Sequence, residues 1–291
     1  MWIQPFLWFI SFLIWYQLFT TVFLTFLLFE HWTYVALFYS TYVVLFCLSL
    51  GSLFQALFAP MPKIPEGYRL PEGFFEAAQK NQKLSPEWAR GYLAVRALAR
   101  NRKLKNSRKR SLKIERKTLK FPLFCLKCNI IKPKDTRHCT RCSACIPRLD
   151  HHCPAMGKCV HYGNHKHFLL FLIYAVVICV YTDIVAGFHT VKAIMRYQDE
   201  QIEQLLTPIM LAATGLVQTM SFPPVLIWFQ YGLWENVLDG LLTVETCYES
   251  NDSELQKTEK TKLENIKNFF GENYWLWPWP ITTETEERAF E

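Results

Sequence analysis

Long uncharged stretches alternate with densely charged ones along this chain. Met1 to Phe29 carries no charged residue, and neither does His31 to Pro62; each exceeds the ~20 residues an α-helix needs to cross a bilayer. Two more apolar runs follow: Phe168 to about Val191, interrupted by Asp183, and Leu205 to about Trp234, which includes Pro208, Gly215, Pro223 and Pro224. Neighbouring helices can satisfy backbone groups freed by proline and glycine, so the fourth run is expected to be kinked, not broken. The pattern predicts an α-helical integral membrane protein with four transmembrane helices. A cleaved signal peptide is a poor account of the first run, which lacks a basic n-region and outlasts the usual ~7 to 15 apolar residues. Asp183 lies about fifteen residues into its helix and is expected to reach the far interface or to face the bundle.

Lysine and arginine set the orientation. None occurs before Lys63, 25 of the 32 fall between Lys63 and Lys166, and Lys192 and Arg196 are the two between spans three and four. A basic loop of this kind stays cytosolic, and four spans then put both termini on the same side. Within the loop, the prolines at 60, 62 and 65 predict an extended exit from the membrane. A soluble helix is expected after Ser85, with Pro86 at its first position and Trp88, Tyr92 and Val95 on one face. From Arg100 to Lys120, eleven of twenty-one residues are basic. In a soluble protein that density suggests nucleic acid; beside four spans it suggests anionic headgroups, at ~1 kcal/mol per residue, or a solvated linker that sets topology.

The chemistry is concentrated between Cys125 and Cys159. The pattern is Cys125-x2-Cys128-x9-His138-Cys139-x2-Cys142-x2-Cys145-x4-Asp150-His151-His152-Cys153-x5-Cys159, with seven of the ten cysteines in thirty-five residues. Repeated Cys-x2-Cys gaps aim paired sulfurs at one ion, as tetrahedral zinc requires. A cytosolic loop is reducing, which disfavours disulfides and favours metal. Iron-sulfur or copper suits a mixed imidazole and thiolate set less well. Two closed zinc sites need eight ligands and the cluster offers ten, so sulfur and nitrogen are left over. Cys153 follows His151 by two residues and Asp150 by three, the residue types of an activated thiolate, its base and a group that orients the base. Spacing alone leaves His151 and His152 interchangeable as ligands, and Cys153 could equally be a spare one.

The order and spacing of this cluster, ahead of a membrane segment, resemble the DHHC protein S-acyltransferases, or palmitoyltransferases. The resemblance extends over nearly the whole chain. It implies one zinc on Cys125, Cys128, His138 and Cys145, a second on Cys139, Cys142, His152 and Cys159, and both as structural ions. It implies catalysis by Cys153, His151 and Asp150: Cys153 takes the acyl group from long-chain acyl-CoA such as palmitoyl-CoA and passes it to a protein cysteine. Leu242-Thr243-Val244-Glu245 resembles the family's Thr-Thr-x-Glu, giving Thr243 a supporting role. Asn265, with Phe270-Gly271 and the aromatic run from Tyr274 to Trp277, resembles its C-terminal motif. Asn164 and Phe168 match, whereas Ala155, Lys158 and His161 stand where the family has Trp, Asn and Gly, and Ala59-Pro60-Met61 replaces Asp-Pro-Gly. Lys158 is expected to contact an acyl-CoA phosphate or to lower the pKa of Cys153.

The expected domains are 1–59 (spans one and two), 60–124 (basic cytosolic linker), 125–166 (zinc domain), 167–234 (spans three and four) and 235–291 (cytosolic C-terminal segment). Two structural Zn2+ ions, the bilayer, and protein substrates with membrane-proximal cysteines are the expected partners, in the ER or Golgi. Nucleic acid is not expected. The altered flanks of the motif leave one alternative within the family, a catalytically silent zinc-stabilised scaffold. His161, His165 and His167 read as interfacial histidines, and Cys47, Cys179 and Cys247 as packing residues or acylation targets.

Overall fold

A computed structural model describes residues 32–70, 124–125, 127–133, 135–196, 223–244, 246 and 261–281. The first expected span, the helix expected after Ser85, the basic run Arg100–Lys120, Glu245, Cys247 and the acidic end lie outside these residues.

Two helices are long and apolar enough to cross a membrane: α1 (Trp32–Phe58) and, within α2 (His165–Arg196), the stretch His165–Val185. They run antiparallel, since Tyr181 Oη donates to Phe38 O (2.9 Å) at one end and Asn164 Nδ2 donates to Ala56 O (3.1 Å) at the other. Their outer faces leave Leu37, Val44, Phe54, Ile184 and Phe188 bare. Such apolar surface is costly in water and at home in lipid. Asp183 stands near the end of the apolar stretch of α2, the depth expected for it.

A third helix, α3, covers 223–239, the final part of the fourth expected span. Gln230 Nε2 ties α3 to α2 at Leu172 O (2.6 Å). The helix ends in a Schellman turn: Gly240 sits at φ 69°, its N–H bonds Val237 O, and the N–H of Leu241 reaches back to Asn236 O. Only a residue without Cβ takes that backbone conformation freely, and the turn delivers Thr243 to the site described below. Helix α4 (Lys262–Phe270) starts on a capping box between Thr261 and Glu264. Its Asn265, Phe269 and Phe270 are buried, and Asn265 Nδ2 donates to Leu238 O (2.8 Å) in the last turn of α3. One apolar cluster joins Ala56, Cys153, Phe168, Leu169, Leu172, Leu233, Val237, Phe269 and Phe270.

Among the described residues between α1 and α2, three short antiparallel hairpins enclose only two small apolar clusters, one of Ile146 and Leu149 with Cys139 and Cys159, the other of Ile130 with Cys125 and Cys145. The hairpins pair β1 (Phe124–Cys125) with β2 (Ile130–Ile131), β3 (Thr136–Cys139) with β4 (Ala144–Pro147), and β5 (Leu149–Cys153) with β6 (Lys158–His161). The proline-rich exit from α1 is extended and bridges to them, with Leu70 N donating to Asn129 O (3.0 Å) and Asn129 Nδ2 returning to Leu70 O (3.1 Å).

Asn164, fully buried, joins three elements. It accepts from His161 N (2.7 Å) and donates to Cys159 O (3.0 Å) and Ala56 O. Asn164→Ala leaves three buried backbone groups unpaired and is expected to cost on the order of 3 kcal/mol. A thermal-unfolding scan of the detergent-solubilised chain, with Tm clearly below wild type, checks it.

Candidate active site and metal centres

Cys125, Cys128, His138 and Cys145 converge with all donor atoms within 4.8 Å of one another, and so do Cys139, Cys142, His152 and Cys159. In the first group His138 Nδ1 lies 3.5, 3.3 and 3.7 Å from the sulfurs of Cys125, Cys128 and Cys145. In the second, His152 Nδ1 lies 3.6, 3.4 and 3.5 Å from those of Cys139, Cys142 and Cys159. Zn–S bonds of ~2.3 Å and Zn–N bonds of ~2.0 Å imply tetrahedral N···S edges of roughly 3.5 Å. Both donor sets therefore fit zinc in distance and in chemistry. The two are copies: adding fourteen to each number of the first set gives the second. The copy extends to the backbone, because the residue after each second cysteine, Asn129 or Ser143, is left-handed (φ 50° in both), and His138↔Cys145 and His152↔Cys159 are register pairs. The fourteen-residue repeat is visible in the sequence and is the signal that would have fixed both sets without appeal to any family.

Side chains alternate along a strand, so holding His152 toward the metal turns His151 and Cys153 to the opposite face of β5, the face that meets the helices. Asp150 would ordinarily point away from His151. A bulge between Leu149 and His151 breaks the register and re-aims it. Its Oδ2 meets His151 Nδ1 at 2.7 Å. The rest of the carboxylate is filled by Thr243, whose N–H donates to Oδ1 (2.8 Å) and whose Oγ1 donates to Oδ2 (2.9 Å). Cys153 belongs to neither metal set, and its sulfur hydrogen-bonds the His151 ring.

The electrostatics follow from these contacts. Burial opposes ionisation of Asp150, yet the nearby His165 and His151 rings and the Thr243 amide hold its carboxyl down at about 2. Burial also opposes a charged His151, but hydrogen bonds to Asp150 and Cys153 push it up to about 9. For Cys153 burial acts upward and is outweighed by His151 and the amides of Met156 and Ala155, leaving the thiol below its ordinary value. The pair thus leans toward thiolate and imidazolium.

Several residues stand where the sequence gave no hint. Asn236 Nδ2 donates to Thr243 Oγ1 (3.3 Å), and Thr246 Oγ1 donates to Thr243 O (2.9 Å) and to Asn236 Oδ1 (3.4 Å), so the α3 end forms a polar brace behind Thr243. His161, His165 and His167 are buried within the protein. His165 places Nε2 4.0 Å from Asp150 Oδ2 and stands edge-on to Phe269. Lys158 is not held beside the sulfur: its Nζ donates to Leu57 O (2.8 Å) and Ala59 O (2.6 Å) at the end of α1. The carbonyls of a helix C-terminus lack intrahelical partners and carry the negative end of its dipole, which accounts for the turn of this cation toward them. Asn265 lies one helix away from the reactive trio and braces α4 against the end of α3.

Two apolar helices of spanning length carry a small module with two Cys3His donor sets that could each hold a metal ion, and one further cysteine and its histidine are turned toward those helices. Residues 118–250 match the family model of the DHHC palmitoyltransferases. A comparison with curated proteins gives no match.

The module's apolar clusters are small and built partly from the donor cysteines, and the two donor sets interleave along the chain, so metal binding would be coupled to folding. Serine at any one of the eight donor positions is expected to lower bound zinc from two equivalents to fewer than one, measured by elemental analysis of the purified chain.

Proposed function

We propose that the chain is a multi-pass protein S-acyltransferase that acylates itself on Cys153 from long-chain acyl-CoA and passes the chain to cysteines of substrate proteins. The observation that carries this reading is the continuous path Thr243–Asp150–His151–Cys153, set against the apolar helices. Four spans, the five segments bounded at 59, 124, 166 and 234, cytosolic termini and an ER or Golgi membrane complete the proposal. It is supported by the distribution of Lys and Arg, by α1, α2 and α3, and by the family match. Cys125, Cys128, His138 and Cys145 would hold one zinc, and Cys139, Cys142, His152 and Cys159 the other. With all four positions of each filled by protein, the ions supply structure, not a Lewis acid.

In the first step the Cys153 thiolate attacks the thioester carbonyl of acyl-CoA. The new C–S bond forms as the bond to CoA breaks, and the departing CoA sulfur takes the proton carried by His151. In the second, a substrate cysteine loses its proton to His151 and attacks the acyl-enzyme, which restores Cys153. One thioester replaces another, so no external energy source is needed. Asp150 fixes the tautomer and orientation of His151, and Thr243 with the Asn236 and Thr246 brace fixes Asp150. An acyl chain in the bundle gains ~0.8 kcal/mol for each buried methylene, which favours a long donor at a sulfur placed on the membrane face.

The replacement of the family's Trp, Asn and Gly by Ala155, Lys158 and His161 favours a second reading, a silent scaffold of the same family. Incubation with labelled palmitoyl-CoA decides between them. Hydroxylamine-sensitive label that disappears in Cys153→Ser is expected, whereas an unlabelled wild type means a scaffold. Thr243→Val is expected to slow labelling about tenfold with zinc retained. The pH dependence has a defined sign: Cys153 alkylation by iodoacetamide rises with pH through a midpoint below that of a free thiol. In His151→Ala the hydrogen bond that lowers it is gone and burial remains, so the midpoint moves up.

A further inference from the structure

Lys158 sits opposite the reactive cysteine: Cys153 and Lys158 are register partners in the β5–β6 hairpin. Paired residues of an antiparallel ladder project to the same face, so the Lys158 stem leaves the hairpin on the side of Cys153. Its ammonium does not stop there but continues to Leu57 O and Ala59 O. Six residues on, Asn164 takes Ala56 O, the next carbonyl back along α1. The last turn of α1 is thereby gripped by the strand that carries the final metal ligand and by the residue that opens α2. Ala56 and Cys153 share one apolar cluster, so the grip and the reactive sulfur lie in one packed unit.

We propose that Lys158 is a positioning residue: a cationic clamp on the C-terminus of α1 that sets the placement of the Cys153 hairpin against the membrane helices. The clamp rests on the acyl-transfer reading of Cys153 for its consequence in catalysis, but not for its existence. The chain offers no aspartate at the α1 exit, where Ala59-Pro60-Met61 stands, and free carbonyls with a dipole end suit an ammonium. A phosphate contact would require Nζ to abandon two short hydrogen bonds. The two roles predict opposite kinetics. A clamp acts on the geometry of attack and hence on the maximal rate, whereas a phosphate contact acts on donor affinity.

The test uses the full chain in nanodiscs, comparing wild type, Lys158→Met and Lys158→Arg. Met keeps the apolar stem and removes the donors; Arg keeps charge and donors. Hydrogen exchange is read at 56–62 and 153–160, zinc content is measured, and Cys153 self-acylation is followed against palmitoyl-CoA concentration. Lys158→Met is expected to retain two zinc equivalents, to exchange at least threefold faster at 56–62, and to lose about tenfold in maximal labelling rate with KM within twofold. Lys158→Arg is expected to recover most of both losses. Unchanged exchange at 56–62 in Lys158→Met overturns the clamp. A raised KM with unchanged maximal rate also overturns it and returns Lys158 to donor binding. If wild type itself takes no label, the acyl-transfer reading fails, while faster exchange in Lys158→Met still supports the clamp and normal exchange still rejects it.

Discussion

The constraint on which the site depends is that one strand serves two faces. In β5, His152 points to the donor set that includes Cys159 on the partner strand, and alternation then turns His151 and Cys153 to the face that meets the helices. The two sets of side chains are therefore neighbours in sequence without competing in space. A metal held on one side would fix the hairpin, and the fixed hairpin would present a thiol on the other. Alternation alone would misplace Asp150, and the single bulge at the start of β5 corrects it. A short chain thus carries ligand, base, orienting carboxylate and nucleophile within four consecutive residues.

The second condition is that the hairpin be seated. A module with so little apolar core cannot seat itself by burial, and the contacts that seat it are polar groups reaching across. Lys158 and Asn164 take the carbonyls at the end of α1, and Thr243 brings the end of α3 to Asp150. At the start of α2 Lys166 donates to Leu276 O and Ile281 O, and farther along Tyr174 Oη bonds Pro278 O. The C-terminal aromatic segment is held through its main chain, which leaves Tyr274, Trp275 and Trp279 exposed, the placement expected of an interfacial belt. Apart from Tyr174, these fastenings lie where a helix begins or ends, because those are the places with unsatisfied backbone groups to offer.

What the sequence made legible follows the same division. Ligand chemistry is local, so the Cys-x2-Cys gaps announced a metal-binding module, and long uncharged runs announced spanning helices, of which α1 and α2 have the length and apolar character to cross a membrane. The repeat of fourteen that makes the two metal sites copies was equally readable. Contacts made across long separations were not. Nothing local in Thr243 marks it as the partner of a carboxylate 93 positions earlier, and it could be named only by resemblance. The three histidines after Cys159 look interfacial by position, and become buried only because α1, α3 and α4 close around the start of α2. The direction of Lys158 depends on where α1 ends in space, which no local pattern encodes.

The altered positions bear on whether the chain acts as an enzyme. His161 replaces a glycine with a ring, and the ring is accommodated: it is fully buried, Nδ1 accepts from Gly163 N (3.2 Å), and a Cβ at Gly163 would press on it at 3.3 Å. A residue without Cβ has in effect moved two places along the turn. Lys158 replaces a short amide and takes up carbonyls at an α1 exit that is itself altered, so these two departures answer each other. Ala155 removes bulk but still packs with Met156 against the cluster around Cys153. The path from Thr243 through Asp150 and His151 to Cys153 runs through none of these three side chains. A chain released from catalysis would have no reason to keep that path whole while adjusting everything around it, and this supports the acyltransferase over the scaffold.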